Sequence, residues 1–172
     1  MALEELHIHH FRNIASERLA FSPRLNLVFG PNGSGKTSLL EAIYYLSSGR
    51  SFRTSKHNRV VQEGSDRLTL FGRVSWNSGE HRLGIERVIG GKEATLHRNG
   101  LKVRAIAEFA RLIPVLVIEP GTFDLVAGAP GYRRRFLDWL VFHVEHDYGR
   151  RWKAAQRAIR QRNHLLRHGI ID

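Results

Sequence analysis

The run Leu25-Asn26-Leu27-Val28-Phe29, then Gly30-Pro31-Asn32-Gly33-Ser34-Gly35-Lys36-Thr37, then Ser38-Leu39-Leu40-Glu41-Ala42, decides the fold. Its first five residues form a short apolar stretch ending at a glycine loop, the pattern of a buried parallel strand. The next eight fit G-x-x-x-x-G-K-[ST] at every fixed position. Thr37 to Ser48 then reads as a helix, with Leu39, Leu40, Ile43 and Leu46 on one face and Gly49 as a stop. Each fixed residue type has a chemical reason. Glycines at 30, 33 and 35 let the backbone curl so that successive N–H groups point at phosphate oxygens, and the helix N-terminus adds its positive dipole end. Lys36 reaches the β- and γ-phosphates as a compact charge, and the Thr37 hydroxyl is the ligand for Mg²⁺. Strand, loop and helix therefore predict a site for a nucleoside triphosphate, ATP with Mg²⁺, formed by Gly30, Pro31, Asn32, Gly33, Ser34, Gly35, Lys36 and Thr37. The loop alone does not separate kinases, GTPases, transporters and repair ATPases.

Working outward, Leu3 to Phe11 alternates loosely and reads as a strand. From Leu68 to Val103 the pattern has period two: Leu68–Trp76 and His81–Ile89 pair around Asn77-Ser78-Gly79, and two more strands flank Asn99-Gly100, a strong hairpin signal. An antiparallel meander thus follows the phosphate loop. Arg104 to Leu112 reads as helix and Pro114 to Ile118 as a second buried strand. From about Gly131 the chain is helical, with Phe136, Leu137, Leu140, Val141 and Val144 as one stripe. A further helix from about Tyr148 to His168 places Trp152, Ala155, Ile159 and Leu166 among arginines. The class is α/β, with a boundary near Pro130: residues 1–130 form the nucleotide lobe and 131–172 the start of a helical arm.

Of the 172 residues, 42% are hydrophobic and 25% charged, an ordinary globular balance. No apolar stretch approaches the roughly 20 residues of a membrane helix, and there is no basic-then-apolar leader. Cysteine is absent, which excludes disulfides and thiolate metal sites. These features predict a cytoplasmic protein without a membrane partner. The formal net charge of +11 favours a polyanionic partner, nucleic acid above all. Arg150, Arg151, Lys153, Arg157, Arg160, Arg162 and Arg167 lie between Tyr148 and His168 with no intervening acid.

Hydrolysis needs an acid at the end of a second apolar strand. Glu119 after Val115-Leu116-Val117-Ile118 is placed for that, but Pro120 follows at once, and the plain reading is a strand ending in a turn. Leu125-Val126-Ala127-Gly128-Ala129 faintly echoes a Leu-Ser-Gly-Gly-Gln signature without its serine, second glycine or glutamine. Arg12 and Asn13 are candidates for a nucleotide contact or for an ordinary surface turn. Arg50, Arg53, Lys56 and Arg59, with His57 and Phe52, make a basic loop that fits DNA phosphates or plain solvation. Arg133 to Arg135 and the later arginines pose the same choice. His143 and His146 stand three apart on a helix, but no third metal ligand accompanies them.

Phe11-Arg12-Asn13, the phosphate loop with Ser38-Leu39-Leu40-Glu41-Ala42, and Gly49-Arg50-Ser51-Phe52-Arg53-Thr54 resemble the opening of RecF proteins, which are related to Rad50 and structural-maintenance heads. Ile118-Glu119-Pro120, Gly128-Ala129-Pro130, Arg133-Arg134-Arg135-Phe136-Leu137-Asp138-Trp139 and Gln161-Arg162-Asn163 extend the resemblance along all 172 residues; Ala129 replaces a usual glycine. The resemblance implies a P-loop ABC-type ATPase head lobe with a β meander, followed by a helical arm. RecF proteins are about twice this length, so it also implies that the signature motif and Walker B acids lie beyond Asp172. It implies weak DNA-dependent ATPase activity in the full-length family, with binding to single-stranded or gapped DNA. It further implies an ATP-dependent homodimer, RecR as partner, and support of RecA loading and the SOS response. A small metabolite kinase is the alternative, although the meander at 68–103 fits it poorly. A non-catalytic nucleotide-binding fragment is another.

Overall fold

The structure is a computed structural model that describes residues 2–76, 79–91, 93–119, 122 and 124–167. It divides into two compact units, residues 1–117 and 118–172, which are described separately.

The first unit is built on a six-stranded antiparallel sheet of order β2-β1-β3-β4-β5-β6. The strands are β1 (Ala2–Phe11), β2 (Ile14–Ala20), β3 (Arg67–Trp76), β4 (Gly79–Val88), β5 (Thr95–Arg98) and β6 (Leu101–Val103). Period-two alternation dictates the buried face: Leu68, Leu70, Gly72 and Val74 of β3 point inward, and Leu6 and Ile8 of β1 and Leu83 and Ile85 of β4 join them. Helix α1 (Lys36–Ser48) packs on β1, β3 and β4 and against the short helix α2 (Ala107–Leu112), closing a core that includes Phe11, Tyr45, Leu46 and Phe109.

The meander expected at 68–103 is present. Asn99 and Gly100 adopt φ of 51° and 81°, the paired positive angles of a type I′ hairpin. The turn residues Asn77 and Ser78 lie outside the described residues. Strand β2 was not anticipated, because its solvent-facing edge gives Ile14–Ala20 little apolar alternation.

Two sequence expectations fail. Leu25–Phe29 and Pro114–Ile118 are not strands. Leu25, Leu27 and Phe29 are each more than 80% exposed. A run apolar on both faces becomes a strand only where neighbouring strands satisfy its backbone and layers cover its sides. The six antiparallel strands supply no such slot. The apolar face assigned to the helix is also rotated. Leu40 is 52% exposed, while Ser38, Glu41, Ala42, Tyr45 and Leu46 face inward.

The second unit carries α3 (Asp124–Ala127), α4 (Pro130–Val144) and α5 (Tyr148–Arg167). Pro130 sits at the first turn of α4, where its missing N–H costs nothing. Tyr148 donates its hydroxyl proton to Asp138, tying α5 to α4 and holding the phenol's pKa above its ordinary value. The apolar stripes expected on both helices are largely exposed: Leu137, Val144, Trp152 and Leu166 are each more than 40% accessible.

Candidate phosphate-binding site

The loop between residues 30 and 37 takes its shape from backbone angles that L-residues avoid. Gly30, Gly33 and Gly35 have φ of 149°, 83° and 94°, and Gly35 is the residue on which α1 begins. Leu39 N–H donates to the Gly35 carbonyl at 2.8 Å, so the helical ladder starts within the motif. The N–H groups of the first turn have no acceptor inside the helix and remain free to meet an anion. Lys36 Nζ folds across the loop and donates to the carbonyls of Gly30 at 2.8 Å and Pro31 at 2.7 Å. An ammonium held there by two carbonyl oxygens of the loop stands over the cradle. Thr37, at the second helical position, is exposed.

The β1–β2 turn braces this loop. Asn13 Nδ2 donates to the Gly33 carbonyl at 3.0 Å, and its Oδ1 accepts from Ser38 Oγ at 2.7 Å. One amide side chain therefore fixes the apex of the loop to the first turn of α1. Its neighbour Arg12 adopts φ 55° at the first position of the two-residue turn. That angle costs a non-glycine residue of order 1 kcal/mol or more and persists where surroundings over-determine it. The surroundings do so. Arg12 Nε and Nη2 form a fork on Glu41 Oε2 (3.0 Å) and Oε1 (2.6 Å), and Nη1 donates to the Arg59 carbonyl at 2.6 Å. The Arg12 guanidinium thus points at α1 and the basic loop.

Glu41 is the residue that sequence reading missed. Its side chain is fully buried, and it also accepts from Ser51 Oγ at 2.5 Å and Arg53 Nη1 at 3.4 Å. A signal was available. Glu41 lies three residues after Ser38 and four before Tyr45, so helical periodicity sets it on the inward face. A carboxylate there demands cations.

The basic loop after α1 hangs from this carboxylate. Ser51 Oγ accepts from the N–H groups of Arg53 at 2.9 Å and Thr54 at 3.0 Å, and Phe52 packs edge-on to Tyr44 at 5.6 Å. Arg50, Arg53, Lys56 and Arg59 are exposed. The pKa of His57 is lowered, first by burial and then by the charges of Arg87 and Arg50.

The other residues singled out lie elsewhere. Glu119 is exposed, its N–H bonded to Thr122 Oγ1 at 2.9 Å. Arg133 donates to the carbonyls of Val126 (3.3 Å) and Gly128 (3.1 Å), Arg135 lies 4.7 Å over the Tyr132 ring, and Arg150 pairs with Asp147 at 2.9 Å. Among the described residues no three His, Asp or Glu side chains converge as a metal site. No helix of the described residues is long and apolar enough to cross a membrane.

A glycine-rich loop, a lysine folded over it and a helix N-terminus behind it are the arrangement of a P-loop. Residues 2–121 match the family described as the RecF/RecN/SMC N terminal domain, and the chain belongs to that family. It is 51% identical over 180 residues to the DNA replication and repair protein RecF of Marinobacter nauticus, covering 100% of this chain and 48% of that protein. It is 48% identical over 173 residues to RecF of Cellvibrio japonicus, covering 100% of this chain and 47% of that protein. The chain thus spans about half the length of the curated relatives it matches. Among solved structures, the recombination mediator protein RecF with ATP superposes with a TM-score of 0.83 at 28% identity, over 97% of this chain and 45% of that one. An SMC ATPase structure concerned with ATP-driven dimerisation superposes with a TM-score of 0.65 at 17% identity, over 81% of this chain and 99% of that one, and shares the fold.

Proposed function

We propose that this chain is the nucleotide-binding lobe of a RecF-type DNA replication and repair ATPase. The observation that carries the reading is the braced loop at Gly30–Thr37, set in a chain alike throughout to proteins named RecF. In this reading the N–H groups of the loop and the Lys36 ammonium hold the phosphates of ATP. Lys36 exchanges the Gly30 and Pro31 carbonyls for β- and γ-phosphate oxygens. The Thr37 hydroxyl holds Mg²⁺, a hard cation suited to an oxygen ligand. Residues 1–130 are the lobe and 131–172 the first part of the arm. The protein acts in the cytoplasm as an ATP-dependent homodimer on single-stranded or gapped DNA, with RecR as partner, in support of RecA loading and the SOS response. The excess of positive charge, +11 overall, supports DNA as the partner. Arg50, Arg53, Lys56 and Arg59 are the basic residues offered for phosphodiester contact.

The test uses the full-length protein. Titration with a fluorescent ATP analogue should show saturable, Mg²⁺-dependent binding. Lys36→Ala should weaken it roughly tenfold or more, since charge-assisted hydrogen bonds contribute about 1.5–3 kcal/mol and about 1.4 kcal/mol is a factor of ten. Gel shifts on gapped DNA should tighten when ATP is added. Absence of DNA binding at low salt, with or without ATP, would contradict the repair reading. Transfer of labelled γ-phosphate to a small metabolite would replace it with a kinase.

A further inference from the structure

We propose that Glu41 is a positioning residue that couples the phosphate loop to the basic loop 49–60, so that nucleotide bound at Gly30–Thr37 steadies the segment presenting Arg53. The inference rests on the nucleotide-binding reading above and adds the route by which the site is felt elsewhere.

Two chains of contacts meet at the carboxylate. On one side, the Gly33 carbonyl binds Asn13, Asn13 also binds Ser38, and the adjoining Arg12 forks onto Glu41. On the other side, Ser51 donates to Glu41 and gathers the N–H groups of Arg53 and Thr54. Arg12 also reaches across, with Nη1 on the Arg59 carbonyl and its backbone N–H on the Val60 carbonyl at 2.9 Å. The basic loop is therefore fixed at Ser51 and at residues 59–60, and both fixtures lead to the turn that braces the P-loop. An anion that rigidifies Gly30–Thr37 lowers the entropic cost of ordering whatever is tied to it, without requiring any displacement.

The four donors to Glu41 are unequal. Arg12 is mostly covered, with 18% of its side chain exposed, and it holds both carboxylate oxygens, at 3.0 and 2.6 Å. Arg53 is 47% exposed, and its bond is the longest at 3.4 Å. Arg53 can leave for a phosphodiester while Arg12 and Ser51 keep the buried carboxylate compensated. Departure of Arg12 would leave the buried carboxylate with only Ser51 and the long Arg53 bond, so Arg12 is the partner that must stay. The geometry thus assigns Arg12 to the brace and Arg53 to exchange with an external anion.

Hydrogen–deuterium exchange on the full-length protein, with and without ATP and Mg²⁺, tests the coupling. In the unaltered protein ATP should slow exchange in peptides covering 30–40 and also in those covering 50–60. Ser51→Ala should lose the ATP-dependent slowing at 50–60 while keeping it at 30–40, and Ser51→Thr, which retains the hydroxyl, should restore it. Glu41→Gln, where it folds, should behave like Ser51→Ala. Protection at 30–40 without protection at 50–60 in the unaltered protein overturns the proposal, as does an undiminished response at 50–60 in Ser51→Ala. Indifference to ATP at 30–40 itself would sink the nucleotide-binding reading, and the coupling with it.

Discussion

Gly72 shows how one missing carbon sets the packing of α1 on the sheet. A Cβ there would stand 2.4 Å from Leu46 Cδ2 and 3.4 Å from Leu3 Cδ1. Leu46 is fully buried, so it has little room to yield. The backbone angle at Gly72 is not the reason for glycine; the close approach of α1 to β3 is. Gly72→Ala should lower the stability of the first unit by about 1–3 kcal/mol through overpacking, measured by urea denaturation of the full-length protein. Pairing with a small residue at the other side, Leu46→Ala, should relieve part of the clash while opening its own cavity. Glu5 makes a prediction in pH. Its carboxylate accepts from His7 at 2.9 Å and from Arg18, with Arg73 nearby at 3.3 Å; the hydrogen bonds to His7 and Arg18, with the charges of the two arginines, hold its pKa at about 2, down from 4.5. A folded pKa below the unfolded one means that the contribution is present above about pH 4.5 and lost as pH falls toward about 2. Melting temperatures followed down this range should fall more steeply for the unaltered protein than for Glu5→Gln, and the gap between them should close at the acid end.

At the scale of elements, α1 is held at both ends by different chemistry. Its N-terminus is braced by Asn13, and its C-terminus ends on Gly49, whose N–H donates to the Tyr45 carbonyl at 2.8 Å. Two residues earlier, Ser47 Oγ donates to the Ile113 carbonyl at 2.6 Å inside the core, which ties α1 to the chain leaving α2. Ser47→Ala strands that buried carbonyl and should cost about 1–3 kcal/mol by the same denaturation measurement. These elements differ in how far the sequence disclosed them. The P-loop, α1, the type I′ turn at Asn99-Gly100 and the pair β3–β4 follow from local rules: glycine placement, period two and period 3.6. Strand β2 escaped because an edge strand with exposed polar positions needs no alternation. The brace escaped for another reason. Asn13, Glu41 and Ser51 are far apart along the chain, and nothing local marks three small polar side chains as partners. Only the inward phase of Glu41 hinted at a buried carboxylate. The same non-local dependence explains the failure at Leu25–Phe29, where composition was right for a buried strand and the neighbours were absent.

The exposure of Leu25, Leu27 and Phe29 bears on the whole molecule. Leu25, Leu27 and Phe29 together present a contiguous apolar run directly before the phosphate loop, each over 80% exposed. Runs of this kind, β-prone and uncharged, are templates for association. The relatives that match this chain throughout are about twice its length, so a protein of that length has further chain with which to cover the run. Two opposite outcomes follow for one substitution, Leu27→Asp. In the isolated 172-residue chain it should diminish association, seen as a shift toward monomer in size-exclusion chromatography, with little change in melting temperature. In the full-length protein it should place a charge where an apolar side chain is covered. There it should destabilise by more than the roughly 1.5–3 kcal/mol that burial of one leucine contributes, and it should weaken ATP binding by loosening the entry to Gly30. Equal tolerance of Leu27→Asp in both contexts would mean that the run stays exposed in the intact protein. Its apolar character would then call for a partner molecule rather than for the rest of the chain.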